Sequence, residues 1–552
     1  MKRLLLASLT FLFPLALMAQ KLDCATTLFT QPGLRYMHKL RSFEGDSILA
    51  VIHLPQGLEY DKQHSAVVGR IKAEGCYSYH VVVRHNGVVQ MDTVRLTASL
   101  HLQQPVPFMG WLSWNVVENE ISTDVVRSVA DAMVSQGLKA AGYRYLVIDD
   151  YWHAPHRDSL THAPIEDPRK FPNGMSEAVD YVHSRGLKFG IYSDAGEKTC
   201  AGMFGSYGFE NEDAGQYARW GVDLLKYDYC YAPTDRATAI ERYTKMGNAL
   251  KNTQRDILFY MCEWGQRQPW LWAHKTGATC WRATYDTRDG WKGKWGGIGM
   301  AESIQEMKNL WAYSGVNRFN DADMMCVGIH GKGKSSSDLV EGVPGMTQDE
   351  YTTQFALWCM WASPLTLSFD LRNAISYEDS MLICNQELIA INQDPMGLQA
   401  ELVCDGEVQL YRKELENGDV AIAVTNLTEQ AVDFPISPQS LTGIRHYLVR
   451  DVVNCRYVSV EKGELACRLN PHETHVYRVA SCRCKPNKVN DDKYMAKQMA
   501  REPKRLIVSD ADGRVLYETY GRKTRIDVPE NIGGKGKATI ITMGRVFVVP
   551  LD

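Results

Sequence analysis

The sequence carries no marked excess of either charge: 61 basic residues against 65 acidic ones leave a formal net charge of −4 over 552 residues. The basic footprint of a nucleic-acid binder is therefore absent. No histidine cluster has the spacing of zinc ligands. After residues 4–18 no apolar run reaches spanning length, so no membrane span is expected. Fourteen cysteines are too thinly spread for a disulfide framework at this length. What is plentiful is aromatic surface, with 13 Trp and 27 Tyr, suited to stacking on sugars and equally to plain packing.

The chain begins with a charged Met1-Lys2-Arg3, a short apolar core and the small Ala19. That pattern predicts a signal peptide over 1–20 and export to the periplasm, the cell surface or the medium. Residues 21–104 read as β-rich, with Asn86-Gly87 joining two strands in a hairpin. From 105 to 395 strands alternate with helices. The predicted strands are 108–115, 143–150, 188–194, 224–230, 258–265, 279–286, 315–321 and 365–371, and helices are expected over 123–138, 349–361 and near 377–391. Eight such units in under 300 residues predict a (β/α)8 TIM barrel. Short strands return over 396–480 as a C-terminal antiparallel β-sandwich, and 481–552 is a β-rich tail.

The barrel reading has a chemical counterpart. The predicted strands end in polar or aromatic residues: Trp114 and Asn115, Asp149 and Asp150, Tyr192 and Asp194, Lys226 and Asp228, Glu263, Arg282 and Asp286, Asp321 and Asp323. One such carboxylate could cap a helix. Carboxylates on six strands instead predict one hydroxyl-rich ligand at the C-terminal rim, where barrel sites are assembled. Alternation on the fourth strand sets Lys226, Asp228 and Cys230 on one face and Leu225, Tyr227 and Tyr229 on the other. Lys226 should then hold the Asp228 carboxyl down as a nucleophile needs, while Asp286 could serve as an acid only if burial and Asp228 outweigh Arg282. A sequence matching the P-loop pattern, Gly328 to Ser335, has no helix following it and reads as a surface loop. Asp321 and Asp323 have cations expected beside them and read as hydroxyl acceptors, not metal ligands.

Trp111-Leu112-Ser113-Trp114-Asn115, Asp149-Asp150-Tyr151-Trp152, Gly190-Ile191-Tyr192-Ser193-Asp194, Lys198-Thr199-Cys200, Lys226-Tyr227-Asp228-Tyr229-Cys230, Cys262-Glu263-Trp264, Trp281-Arg282 and Asn320-Asp321-Ala322-Asp323 occur in that order. Over about 105–480 the chain resembles family 27 of the glycoside hydrolases, the α-galactosidases and α-N-acetylgalactosaminidases. The resemblance implies a retaining mechanism with Asp228 as nucleophile and Asp286 as acid/base. It implies a galactose pocket lined by Trp114, Asp149, Asp150, Tyr192, Cys200, Lys226, Glu263, Arg282 and Asp323, and a Cys200–Cys230 disulfide. Cys262 and Cys280 are a further possible pair. Glu263, and the retention of both Asp149 and Asp150, favour an α-galactoside as substrate over an acetylgalactosaminide or a β-L-arabinopyranoside. No cofactor or metal is expected, and the oligomeric state is open. Ala322 stands where many members carry proline.

Overall fold

A computed structural model describes residues 20–293, 296–334 and 344–481, with four strands of the tail (Lys504–Asp510, Val515–Gly521, Gly536–Thr542 and Arg545–Leu551). The leader predicted over 1–20 lies outside the described residues save for Gln20.

Eight strands form one parallel sheet: Met109–Leu112, Tyr145–Val147, Lys188–Asp194, Leu224–Asp228, Leu258–Met261, Cys280–Arg282, Phe319–Asp321 and Leu365–Leu367. They are ordered around the ring as in the chain, the eighth pairing with the first. A parallel bridge between Met325 and Leu367 closes the gap between seventh and eighth, with the Met325 N–H donating to Thr366 O at 2.8 Å. The fold is a TIM barrel.

Both faces of a parallel strand are buried, and successive side chains divide between them. Phe108, Leu112, Val147, Leu224, Leu258, Tyr260, Cys280 and Phe319 fill the barrel interior. Their neighbours Trp111, Leu146, Ile191, Leu225, Tyr227, Phe259 and Trp281 pack outward beneath the helices. The helix Thr123–Ser135 stops short of 138 because Gly137 (φ 83°) leaves the helical region. Gln348–Trp361 starts at a capping box of Thr347 and Glu350. The helix expected near 377–391 is two, Tyr377–Ile383 and Gln386–Asn392, because Asn385 caps the second by accepting from the N–H groups of Glu387 and Leu388.

All eight predicted strands are present, but most are shorter than predicted. Side chains take over ladder positions at their ends: Ser113 Oγ accepts from the Asp149 N–H at 2.9 Å, and Asp194 Oδ2 from the Cys230 N–H at 2.9 Å. Two placements change as a result. Trp114 opens a short helix, Trp114–Val117, and Asp286 lies in the loop after the sixth strand instead of on it.

Before the barrel, a four-stranded and a three-stranded sheet enclose a small core. The hairpin Gly75–His85 and Val88–Ala98 turns at Asn86 (φ 49°) and Gly87 (φ 78°), as its sequence predicts. After the barrel come a six-stranded antiparallel sheet and a two-stranded one. The tail strands form a four-stranded antiparallel sheet of their own.

Candidate active site

The third and fourth strands run in register, Tyr192 opposite Lys226 and Asp194 opposite Asp228. The Tyr192 and Asp228 side chains therefore meet inside the barrel mouth. Asp228 Oδ2 accepts from the Tyr192 hydroxyl at 3.0 Å, Oδ1 accepts from the Tyr229 N–H at 3.0 Å, and Cys200 Sγ lies 3.6 Å from Oδ2. Cys200 and Cys230 are joined by a disulfide with Cα atoms 5.2 Å apart. It ties the loop after the third strand to the segment that follows Asp228.

Lys226 does not pair with Asp228. Its Nζ lies 2.6 Å from Asp149 Oδ2 and 5.5 Å from the Tyr192 ring centroid. Burial works against the Lys226 charge, and Asp149 more than overcomes it, so this lysine is held well above its usual range. Burial pushes the Asp228 carboxyl up to about 7, against the pull of Lys226 and with the push of Asp286. Lys226 does pull the Asp228 carboxyl down, as expected, but burial outweighs that pull and the carboxyl ends above its ordinary range.

Asp286 is also the reverse of what an acid role wants. Burial raises it, but Arg282 and Arg288 outweigh burial and hold its carboxyl below the ordinary range. Arg282 Nη2 lies 3.1 Å from Asp286 Oδ1, and Arg288 Nη2 lies 3.9 Å from Oδ2. Arg282, 1% exposed, sends its other nitrogen to Asp323 Oδ1 at 2.8 Å. Asp323 adopts φ 81°, uncommon for a residue with a side chain, and is held there by the Thr287 N–H, which donates to Oδ2 at 2.7 Å. That contact anchors the loop carrying Asp286.

On the opposite wall, Asp150 accepts the Ala201 N–H at 2.9 Å, and burial lifts its carboxyl to about 6. Trp114 stacks on Tyr151 with ring centroids 6.0 Å apart. Glu263 is fully buried and ion-paired to Arg267, which lies 4.3 Å over the Tyr229 ring. Burial raises Glu263 above its usual range in spite of Arg267. Arg267 and Arg288 are contacts that reading strand ends passes over, since both lie in loops; four-residue spacing from Glu263 is the signal that could have found Arg267.

Asp321 turns away from the mouth and accepts from the Tyr260 hydroxyl beneath it. Asp194, Cys200, Asp228 and Cys230 offer four ligand atoms within 4.8 Å of one another, but the disulfide removes both thiolates a metal would take. Cys262 and Cys280 are both free and buried, so the possible second pair is not formed. Tyr260, not Cys262, stands opposite Cys280 in the strand register.

Residues 106–394 match the family model described as alpha galactosidase A, and 405–479 match the alpha galactosidase C-terminal β-sandwich domain. The chain belongs to the α-galactosidase A family. Among relatives of this family, the alpha-galactosidase A of Cellvibrio japonicus is 41% identical over 334 residues, 59% of this chain and 78% of that one. The crystal structure of α-galactosidase I from Mortierella vinacea superposes with a TM-score of 0.63 at 29% identity, covering 69% of this chain and 98% of the other. A crystallised Bacteroides fragilis protein reaches a TM-score of 0.65 at 34% identity and covers 83% of this chain and 97% of its own. That share exceeds what the barrel and the C-terminal sandwich span, so the likeness does not stop at the family's two domains.

Proposed function

We propose that this protein is an exported, retaining, exo-acting α-galactosidase that removes terminal α-D-galactosyl residues from oligo- or polysaccharides. The observation that carries the reading is a pair of carboxylates, Asp228 and Asp286, close enough to perturb each other, within a rim of hydroxyl-binding groups.

In the mechanism, Asp228 attacks the anomeric carbon as the glycosidic bond breaks, and Asp286 gives its proton to the departing oxygen. Asp286 then takes a proton from water, which displaces Asp228 and releases galactose. The reaction needs one proton on the pair. With Asp228 pushed up to about 7 and Asp286 held low, the free site keeps that proton on Asp228 over the acidic range. A substrate reverses this placement: positive charge developing on the sugar ring favours ionised Asp228, and ionised Asp228 raises the proton affinity of Asp286. Asp149, oriented by Lys226, and Asp150, oriented by the Ala201 N–H, accept sugar hydroxyls. Trp114, stacked on Tyr151, is the apolar platform.

Glu263, buried and held by Arg267, supports galactose over its 2-acetamido derivative, since a fixed carboxylate accepts a 2-hydroxyl and leaves little room for an acetamido group. The test compares p-nitrophenyl α-galactoside, α-N-acetylgalactosaminide and β-L-arabinopyranoside. The α-galactoside should have the highest kcat/KM; turnover of none of the three by folded protein would overturn the enzyme reading.

A further inference from the structure

Arg288, two residues beyond Asp286, brings a guanidinium to the mouth that no described residue accepts from. Its Nε is buried without a hydrogen-bond partner, and Nη2 comes no closer than 3.9 Å to Asp286 Oδ2, too far for a hydrogen bond. The side chain is nevertheless held in place. A bridge between Thr287 and Ile298 ties its loop down, the Arg288 N–H donating to Ile298 O at 2.7 Å and the Ile298 N–H to Asp286 O at 2.8 Å. Gly297 closes over the stem: a Cβ there would stand 2.5 Å from Arg288 Cγ and 2.6 Å from Nε. The side chain is 12% exposed. With the stem covered, that opening falls at the terminal nitrogens, beside Asp286.

A guanidinium carries five donors and cannot shed its charge. Leaving its open end without an acceptor is costly and marks a place where a ligand or a water supplies one. Position says which ligand. The Asp286 side chain is 41% exposed, whereas Asp228, Asp149 and Lys226 are all but buried. The galactosyl group is therefore enclosed, and the group that departs lies on the Asp286 side, where the acid meets the departing oxygen. An anionic group on Arg288 would be set against the Asp286 carboxyl, and a metal ion would meet Arg282 and Arg288 themselves. A sugar hydroxyl offers lone pairs to the guanidinium and no charge for Asp286 to repel.

We propose that Arg288 donates to a hydroxyl of the leaving sugar, the first unit beyond the scissile bond, and holds that unit while Asp286 protonates the bridging oxygen. The inference rests on the α-galactosidase reading and adds to it the residue that recognises the leaving group. The test is a cycle of kcat/KM values: melibiose and its analogues lacking one glucose hydroxyl each, on the wild type and on Arg288→Met, at one pH. Loss of the contacted hydroxyl should lower kcat/KM about tenfold on the wild type and less than about twofold on Arg288→Met. Arg288 also acts on Asp286, so the variant shifts every rate; the ratio between substrates cancels that shift. If Arg288→Met fails to fold, Arg288→Gln takes its place in the same cycle. Equal losses in wild type and variant at every hydroxyl overturn the contact and leave water as the acceptor. If the folded wild type cleaves neither melibiose nor p-nitrophenyl α-galactoside, the α-galactosidase reading fails and the contact with it; turnover with equal losses overturns the contact alone.

Discussion

Lys226 lies two residues before Asp228 on the same face of a strand, yet its ammonium goes to Asp149. Burial outweighs the pull that Lys226 still exerts, and the carboxyl of this nucleophile candidate is pushed up to about 7. Asp228→Asn should abolish turnover of every glycoside, by on the order of 10⁴-fold or more, as rates on the three aryl substrates will show. The pH profile follows from the shared proton. Asp228 is raised, so below about 7 the pair holds the proton that the leaving group needs, and above about 7 both carboxyls ionise. A kcat/KM profile should therefore drop tenfold per pH unit above about 7. On the acid side activity should persist below the ordinary carboxylate range, since the second proton must go to Asp286, which Arg282 and Arg288 hold low. Arg267→Met would leave Glu263 buried without its cation. It should cost about 3 kcal/mol by urea denaturation and raise KM for the aryl galactoside.

Elements account for how these residues reach one another. Strand periodicity was legible because alternation is local: Leu224 faces the interior and Leu225 the helices, as their order requires. Strand length was not legible, because Ser113 and Asp194 accept backbone N–H groups that the ladder would otherwise use. Nor was the sixth-strand loop, whose course depends on the Thr287 N–H finding Asp323. The Cys200–Cys230 link closes a separation of 30 residues behind Asp228. The double change Cys200→Ser with Cys230→Ser should destabilise the barrel by about 3 kcal/mol and lower kcat, because it also frees the loop beside the nucleophile. Differential scanning calorimetry with and without reductant, alongside aryl galactoside rates, checks both effects.

At the scale of the whole molecule, the C-terminal sheet serves two cores. Leu410, Ile422, Val424 and Tyr477 pack within its own layer, while Tyr411, Ala421, Ala423 and Val476 join the barrel's core. Trp361, at the end of the helix Gln348–Trp361, meets Tyr411 with ring centroids 6.3 Å apart. Arg450 on the sheet forms a buried ion pair with Glu387 of the helix Gln386–Asn392. Arg450→Ala would strand the Glu387 charge in this interface and should cost about 3–5 kcal/mol. Barrel and sandwich should then still lose structure in one transition, as tryptophan fluorescence and far-ultraviolet circular dichroism would report together.

By itself the sequence determined the eight-stranded period, the face on which Lys226 and Asp228 stand, the Asn86-Gly87 hairpin and the motifs that mark the family. All of these depend on near neighbours in the chain. Only the tertiary structure decided that Lys226 serves Asp149, that Arg267 holds Glu263, that Cys262 and Cys280 stay apart and that burial lifts the Asp228 carboxyl while Arg282 and Arg288 hold Asp286 down. Those outcomes depend on which distant groups barrel closure brings within a few ångströms, and on how much water it removes from between them.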